Sequence, residues 1–242
     1  MSTVPLQPAP PDRLGRTQEF LKQIVYGGND GIVTTFAIVA GFAGARAEGV
    51  AGIGAVAVLV FGLANLFADA VSMGLGEFLS GRAQRDLYGA QKRRALETIR
   101  RAPEDARTRL DRHLRARGLS STDAEAAAAI LARTPPMMAE MLMRYENGLG
   151  HPDEDSPAIN GLFTFVAFVA FGVVPLVPYF LRPADGTTLA LSAAATISAL
   201  VGLGLLRWNA TGLGLLRSVG ETVVVGGVCA VVAFVVGAAV GG

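Results

Sequence analysis

Three groups of residues in this sequence could do chemistry. The first is Asp30, an acid inside the otherwise uncharged run IVYGGNDGIVTTFAIVAGFAGA at 24–45. The second is Asp69, Met73 and Glu77, spaced i, i+4, i+8, which on a helix stacks them along one face over about 12 Å. The third is the methionine-rich run at 137–146, where Glu140 and Met143, then Met143 and Glu146, fall three residues apart. Carboxylate oxygens suit Mn(II) and Fe(II), and a thioether adds preference for softer ions over Mg(II) and Ca(II). Two carboxylates around a methionine therefore form a path for a divalent transition metal. Each group also has a plainer reading. Asp30 can cap a helix at a water interface, Met73 can be buried packing, and the methionines can form a flexible packing face.

The elements that hold the first two groups are membrane helices. Hydrophobic residues make up 51% of the chain and charged ones 17%, and the charges avoid four long stretches at 50–68, 158–181, 187–206 and 222–242. Each is close to the roughly 20 residues that cross a bilayer as a helix. The run at 24–45 adds a fifth. In a soluble protein Asn29-Asp30-Gly31 would signal a turn, but residues 31–45 alone are too short for roughly 30 Å of hydrocarbon. The span therefore includes 27–31, which puts the Asp30 carboxylate in the membrane or at its edge. A carboxylate there is costly unless it meets a cation, a proton or water, and by default it marks function.

The expected fold is all-α: a polytopic membrane protein with five transmembrane helices and a helical cytoplasmic insert between spans two and three. Residues 1–12, with Pro5, Pro8, Pro10 and Pro11, form a disordered tail, and no cleavable signal peptide is expected from so polar a start. Residues 13–81 hold a short interfacial helix and the first two spans, 82–156 the insert, and 157–242 the last three spans. With no proline before Pro103, span two continues outward as one long helix. Small residues at Ser72, Gly74 and Gly76 let a neighbouring helix approach that face. In the insert, Pro103 opens a helix, Thr122 and Glu125 make a capping box, and Pro135-Pro136 starts another helix. Pro175 and Pro178 kink span three. Arg13, Arg16, Lys22, Arg207 and Arg217 on one side oppose Arg46 and Arg182 on the other. That places the N-terminus and the insert in the cytoplasm and the C-terminus opposite.

Several classes of function are disfavoured. His113 and His151 are the only histidines, and no nucleophile–base pair accompanies them, so no enzyme is expected. Cys229 is single, which leaves no disulfide framework and no CxxC site. The arginines of the insert carry no interleaved aromatics, so nucleic acid is not a partner; they form a solvated face near anionic lipid.

The motifs NDGIVTTFAIVAG (29–41), ADAVSMGLGEFLS (68–80), MLMRYENGL (141–149) and PLVPY (175–179) resemble those of the vacuolar iron transporter family, in that family's order and over all of the chain beyond the tail. The resemblance implies a homodimeric, proton-coupled exporter of Fe(II), often also Mn(II), with the metal as cargo and no resident cofactor. It implies an ion path along spans one and two at the dimer interface, lined by Asp30 and Met73. Asp69 and Glu77 extend that path by spacing alone. The family's insert is a helical metal-binding domain with glutamates and methionine at the entrance, and Met143 and Glu146 match its last motif, with Glu140 beside them. The sequence departs from the family where Glu-x-x-Glu pairs flank the proline at Pro103. The corresponding positions hold Ala95, Thr98, Arg109 and Arg112, and arginine repels a cation rather than ligating it; Glu97, Glu104, Asp105 and Asp111 are the acids left nearby. Alanine- and arginine-rich usage without organellar signals points to a bacterial plasma membrane, or to a vacuolar membrane if the source is eukaryotic. The competing reading is a membrane metal sensor or scaffold that does not transport.

Overall fold

The computed structural model describes residues 20–45, 53–150, 156–212 and 214–241. The tail at 1–12, most of the expected interfacial helix, Arg46 and His151 lie outside them. All regular structure in the described residues is helical: α1 (Leu21–Gly44), α2 (Ile53–Arg101), α3 (Pro103–Arg115), α4 (Ser121–Ala132), α5 (Pro135–Asn147), α6 (Pro157–Gly172), a 3-10 turn (Val174–Leu176), α7 (Val177–Leu181), α8 (Gly186–Thr211) and α9 (Leu215–Gly241). Four stretches are long and apolar enough to cross a membrane by length and composition: Gly54–Arg101, Pro157–Leu181, Gly186–Thr211 and Leu215–Val240. Helix α1 is long enough but is not among them. Gly27, Gly28, Asn29, Asp30 and Gly31 interrupt its apolar residues, and each polar group lowers the transfer free energy that insertion needs.

The chain forms two compact units, one of Met1–Phe78 with Ala158–Gly242 and one of Leu79–Pro157. In the first, α1 is the central element, packed on α8, α9 and the 3-10 turn. Asn29-Asp30-Gly31 makes no turn: the helix runs through it, and Thr34 Oγ1 donates to the Asp30 carbonyl at 2.8 Å. Small residues allow α1 this position. A Cβ on Gly27 would lie 2.7 Å from the Thr164 carbonyl oxygen, and one on Gly31 would overlap that of Phe168. Gly172 faces Gly31 in turn, with its would-be Cβ 2.8 Å from the Gly31 oxygen. This is the close backbone approach that glycine permits between packed helices. On α2, Gly74 meets Gly161 in the same way, whereas Gly76 has open space around it among the described residues. Only one of the two glycines expected to admit a neighbour does so.

Prolines break the third apolar stretch where expected. Pro175 falls in the 3-10 turn between α6 and α7, and its carbonyl accepts a buried 2.6 Å hydrogen bond from Ser192 Oγ of α8, which replaces a lost helical partner. Asp185 then caps α8. Its carboxylate accepts from the Thr188 amide at 2.7 Å, a bond that holds the Asp185 carboxyl below the usual carboxylate range.

In the second unit, α3, α4 and α5 enclose Ala106, Leu110, Leu114, Ala128, Met138 and Leu142 with Ile99 from the end of α2. Pro103 and Pro135 each open a helix at a position where no amide hydrogen is needed, and Gly148, at φ 65°, ends α5. The cap of α4 differs from expectation. It is Ser120, not Thr122: Ser120 Oγ accepts from the Asp123 amide at 3.1 Å and donates to the Asp123 carboxylate at 2.6 Å. Both Ser120/Asp123 and Thr122/Glu125 have the three-residue spacing. The earlier pair wins because helical backbone begins at Ser121, which leaves Thr122 inside the first turn. Ser120→Ala is therefore expected to cost about 1 kcal/mol and Thr122→Ala only a few tenths, read as local hydrogen-exchange protection of α4.

Candidate metal site

Asp30 lies partly buried on α1, one residue before the glycine that contacts α6. Lys22 of α1 meets Glu77 of α2 and Val39 of α1 packs with Val58 of α2, so the two helices run antiparallel, and Asp30 and Asp69, each eight residues from that ion pair, fall at about the same level. Asp69 is held by Asn65, one turn earlier, whose Nδ2 donates to Asp69 Oδ2 at 2.7 Å. Two carboxylates at one level of a helix pair offer hard oxygen ligands to a divalent cation. Met73, a further turn along α2, is partly buried and packs against the cluster of Leu66, Ala70 and Phe168, so its side chain is fixed by packing. Glu77 completes the row, with Lys22 Nζ of α1 at 3.7 Å from its Oε1. That ion pair is largely exposed on the lysine side and is weak on that account.

Among the described residues no three His, Cys, Asp or Glu side chains converge closely enough to enclose a metal. An ion held there would take oxygens from Asp30 and Asp69, and a thioether and water would fill the remaining positions of a six-coordinate Mn(II) or Fe(II) shell. Such an open shell suits an ion that must leave again.

The residues of the second unit are placed differently. Glu140 is bound by Lys92 Nζ at 2.5 Å, and Glu146 by Arg109 Nη1 at 3.2 Å with His113 Nε2 at 3.7 Å. Met143 is buried. Ala95, Thr98 and Arg109 do converge with Met143 and Glu146 on one cavity of about 190 Å³, and Glu146 is the one acid among its lining residues. Arg112 is exposed and does not line it.

Sequence reasoning missed the partners. Asn65 was detectable in principle, being i−4 to Asp69 on one helix face. Lys92 and Arg109 reach Glu140 and Glu146 across 48 and 37 residues, and no local pattern announces them.

Comparison with known proteins fixes the context. A family model described as the VIT family matches residues 21–238. "Vacuolar iron transporter 1" of Arabidopsis thaliana is 32% identical over 217 residues, covering 89% of this chain and 84% of the relative. "Vacuolar iron transporter 2" of Oryza sativa subsp. japonica is 30% identical, covering 89% and 85%. A "Vacuolar iron transporter" of Toxoplasma gondii is 38% identical over 66% of this chain and 52% of its own length. Each of those names is that of a transporter, not an enzyme. The matched region takes in α1 with Asp30, the Asp69–Glu77 face and the whole of the second unit, and so the chain belongs to the VIT family.

Proposed function

We propose that this protein exports Fe(II), and also Mn(II), from the cytoplasm in exchange for protons. The relatives named iron transporters supply the substrate class. The observation that carries the reading is the run of α1 beside α2, fixed by Lys22–Glu77 and Val39–Val58, which sets the partly buried Asp30 at the level of Asp69, with Met73 one turn along from Asp69. In this reading α1 is the fifth span. Its polar segment at 27–31 is tolerated in the bilayer because it faces other helices rather than lipid. The N-terminus and the insert face the cytoplasm, and two copies form a homodimer in a bacterial plasma membrane.

Asp30 and Met73 form the central site, Asp69 and Glu77 its approach. Ligation requires the deprotonated carboxylate, so a proton arriving from the far side competes directly with the metal, and the competition gives exchange. Glu140, Met143 and Glu146 form at most a weak collecting point, because an ion there must first displace Lys92 and Arg109.

The test is metal flux in proteoliposomes under an imposed pH gradient, with internal pH recorded alongside. Metal uptake coupled to proton exit is expected. Met73→Ala is expected to lower Fe(II) flux more than Mn(II) flux, since sulfur favours the softer ion; equal losses would remove Met73 from the site. No flux from a folded protein that still binds metal would favour a sensor or scaffold.

A further inference from the structure

At the end of the first unit where α1 begins, a cavity of about 770 Å³ opens between α1, the end of α8 and the start of α9. Its rim carries Lys22, Arg207 and Glu221, and its wall includes Val25 and Val225. Glu221 is fully engaged: Arg207 Nη2 lies 2.9 Å from one of its oxygens and Arg217 Nε 3.0 Å from the other. Two guanidinium cations on Glu221 offset its charge and repel a metal ion, so the cavity does not extend the metal path. Counting Lys22, Arg207 and Arg217 against Glu221 and Glu77, the group carries three positive charges and two negative, net +1. Each arginine commits one nitrogen to Glu221, and the other N–H donors of its fork remain for an outside acceptor.

Below this rim the surface is apolar and continues away from the cavity. Val225, Val228 and Val232 follow one another along the exposed face of α9, each more than half or about half exposed. Tyr26 of α1 and Trp208 of α8 are exposed at the same end, which is where amphipathic aromatic rings settle at a membrane interface. A cationic rim, interfacial aromatics and an apolar track in line with them together describe a phosphate group carrying hydrocarbon chains. Zwitterionic headgroups bring a choline or amine that the rim's net positive charge does not favour.

We infer that this cavity is a binding site for an anionic phospholipid, with the phosphodiester on Lys22 and Arg207, Arg217 offsetting the charge of Glu221, and an acyl chain along Val225, Val228 and Val232. The inference rests on the membrane placement of α8 and α9 and is independent of the transport reading. Its readout is binding, not flux, so the two fail separately.

The full-length protein in non-ionic detergent is titrated with phosphatidylglycerol, phosphatidylcholine and glycerol 3-phosphate, and bound molecules are counted by native mass spectrometry. One phosphatidylglycerol per chain is expected to bind saturably, ahead of phosphatidylcholine. Lys22→Gln, at an exposed position that folding does not need, is expected to weaken binding about fivefold, and Lys22→Gln with Arg207→Gln about 25-fold, taking each cation as an equal contribution. Unchanged affinity in Lys22→Gln and in the double variant overturns the assignment. Equal binding of phosphatidylcholine overturns the anionic preference, and saturation by glycerol 3-phosphate at the lipid's affinity identifies a water-soluble anion instead.

Discussion

Asp30→Asn is expected to abolish metal flux while leaving the protein folded, and at least as stable as the wild type. The two halves of that expectation have one cause. Asp30 is partly buried, where a carboxylate without a bound cation is costly, and an isosteric amide removes that charge. The loaded site needs both charges. Removing one partner from a buried ionic contact costs on the order of 3–5 kcal/mol, which is about two to three and a half orders of magnitude in affinity. Asp69→Asn is expected to lose flux less completely, because the site keeps Asp30, and an amide at 69 still accepts from Asn65. A cap at the water interface would behave in the opposite way. Asp30→Asn would then lower stability slightly and leave flux intact, and that pair of results from melting curves and proteoliposomes would sink the site.

Much of the helical framework was readable along the chain, and the reason is that its signals are local. The unbroken α2, the openings at Pro103 and Pro135 and the break at Pro175 each follow from whether a residue can donate a backbone hydrogen bond. The stacking of Asp69, Met73 and Glu77 follows from the helical repeat alone. What was not readable depends on contacts distant in sequence. Glu140 and Glu146 carry the residue types of metal ligands, yet each is met by a cation from another helix. Gly74 and Gly76 look alike in sequence, and only the position of Gly161 distinguishes them. The α4 cap fell between these cases: two pairs had the right spacing, and the starting point of the helix chose between them. Asp30 itself needed both kinds of information, a local argument to place it in a helix and Asp69 to give it a counterpart.

The same contrast gives the second large effect, a pair of identical substitutions with opposite outcomes. Gly76→Ala adds a methyl group where nothing among the described residues lies within 4 Å, and alanine in a helix interior is favoured over glycine by about 1 kcal/mol. It is expected to be neutral or mildly stabilising and to leave flux unchanged. Gly31→Ala places the methyl group on the carbonyl oxygen of Phe168, in backbone that no rotamer change can move aside. Overpacking of that kind costs about 1–3 kcal/mol, more than the helix preference returns. The strain can be relieved by moving α1 away from α6, and Asp30, the adjacent residue, moves with it relative to Asp69. Gly31→Ala is therefore expected to lower the melting temperature and to lose most metal flux although every proposed ligand is still present. Wild-type stability and flux in Gly31→Ala would mean that α1 and α6 do not meet through this glycine. A loss in Gly76→Ala equal to that in Gly31→Ala would mean that the open face of α2 is covered by a second copy of the chain.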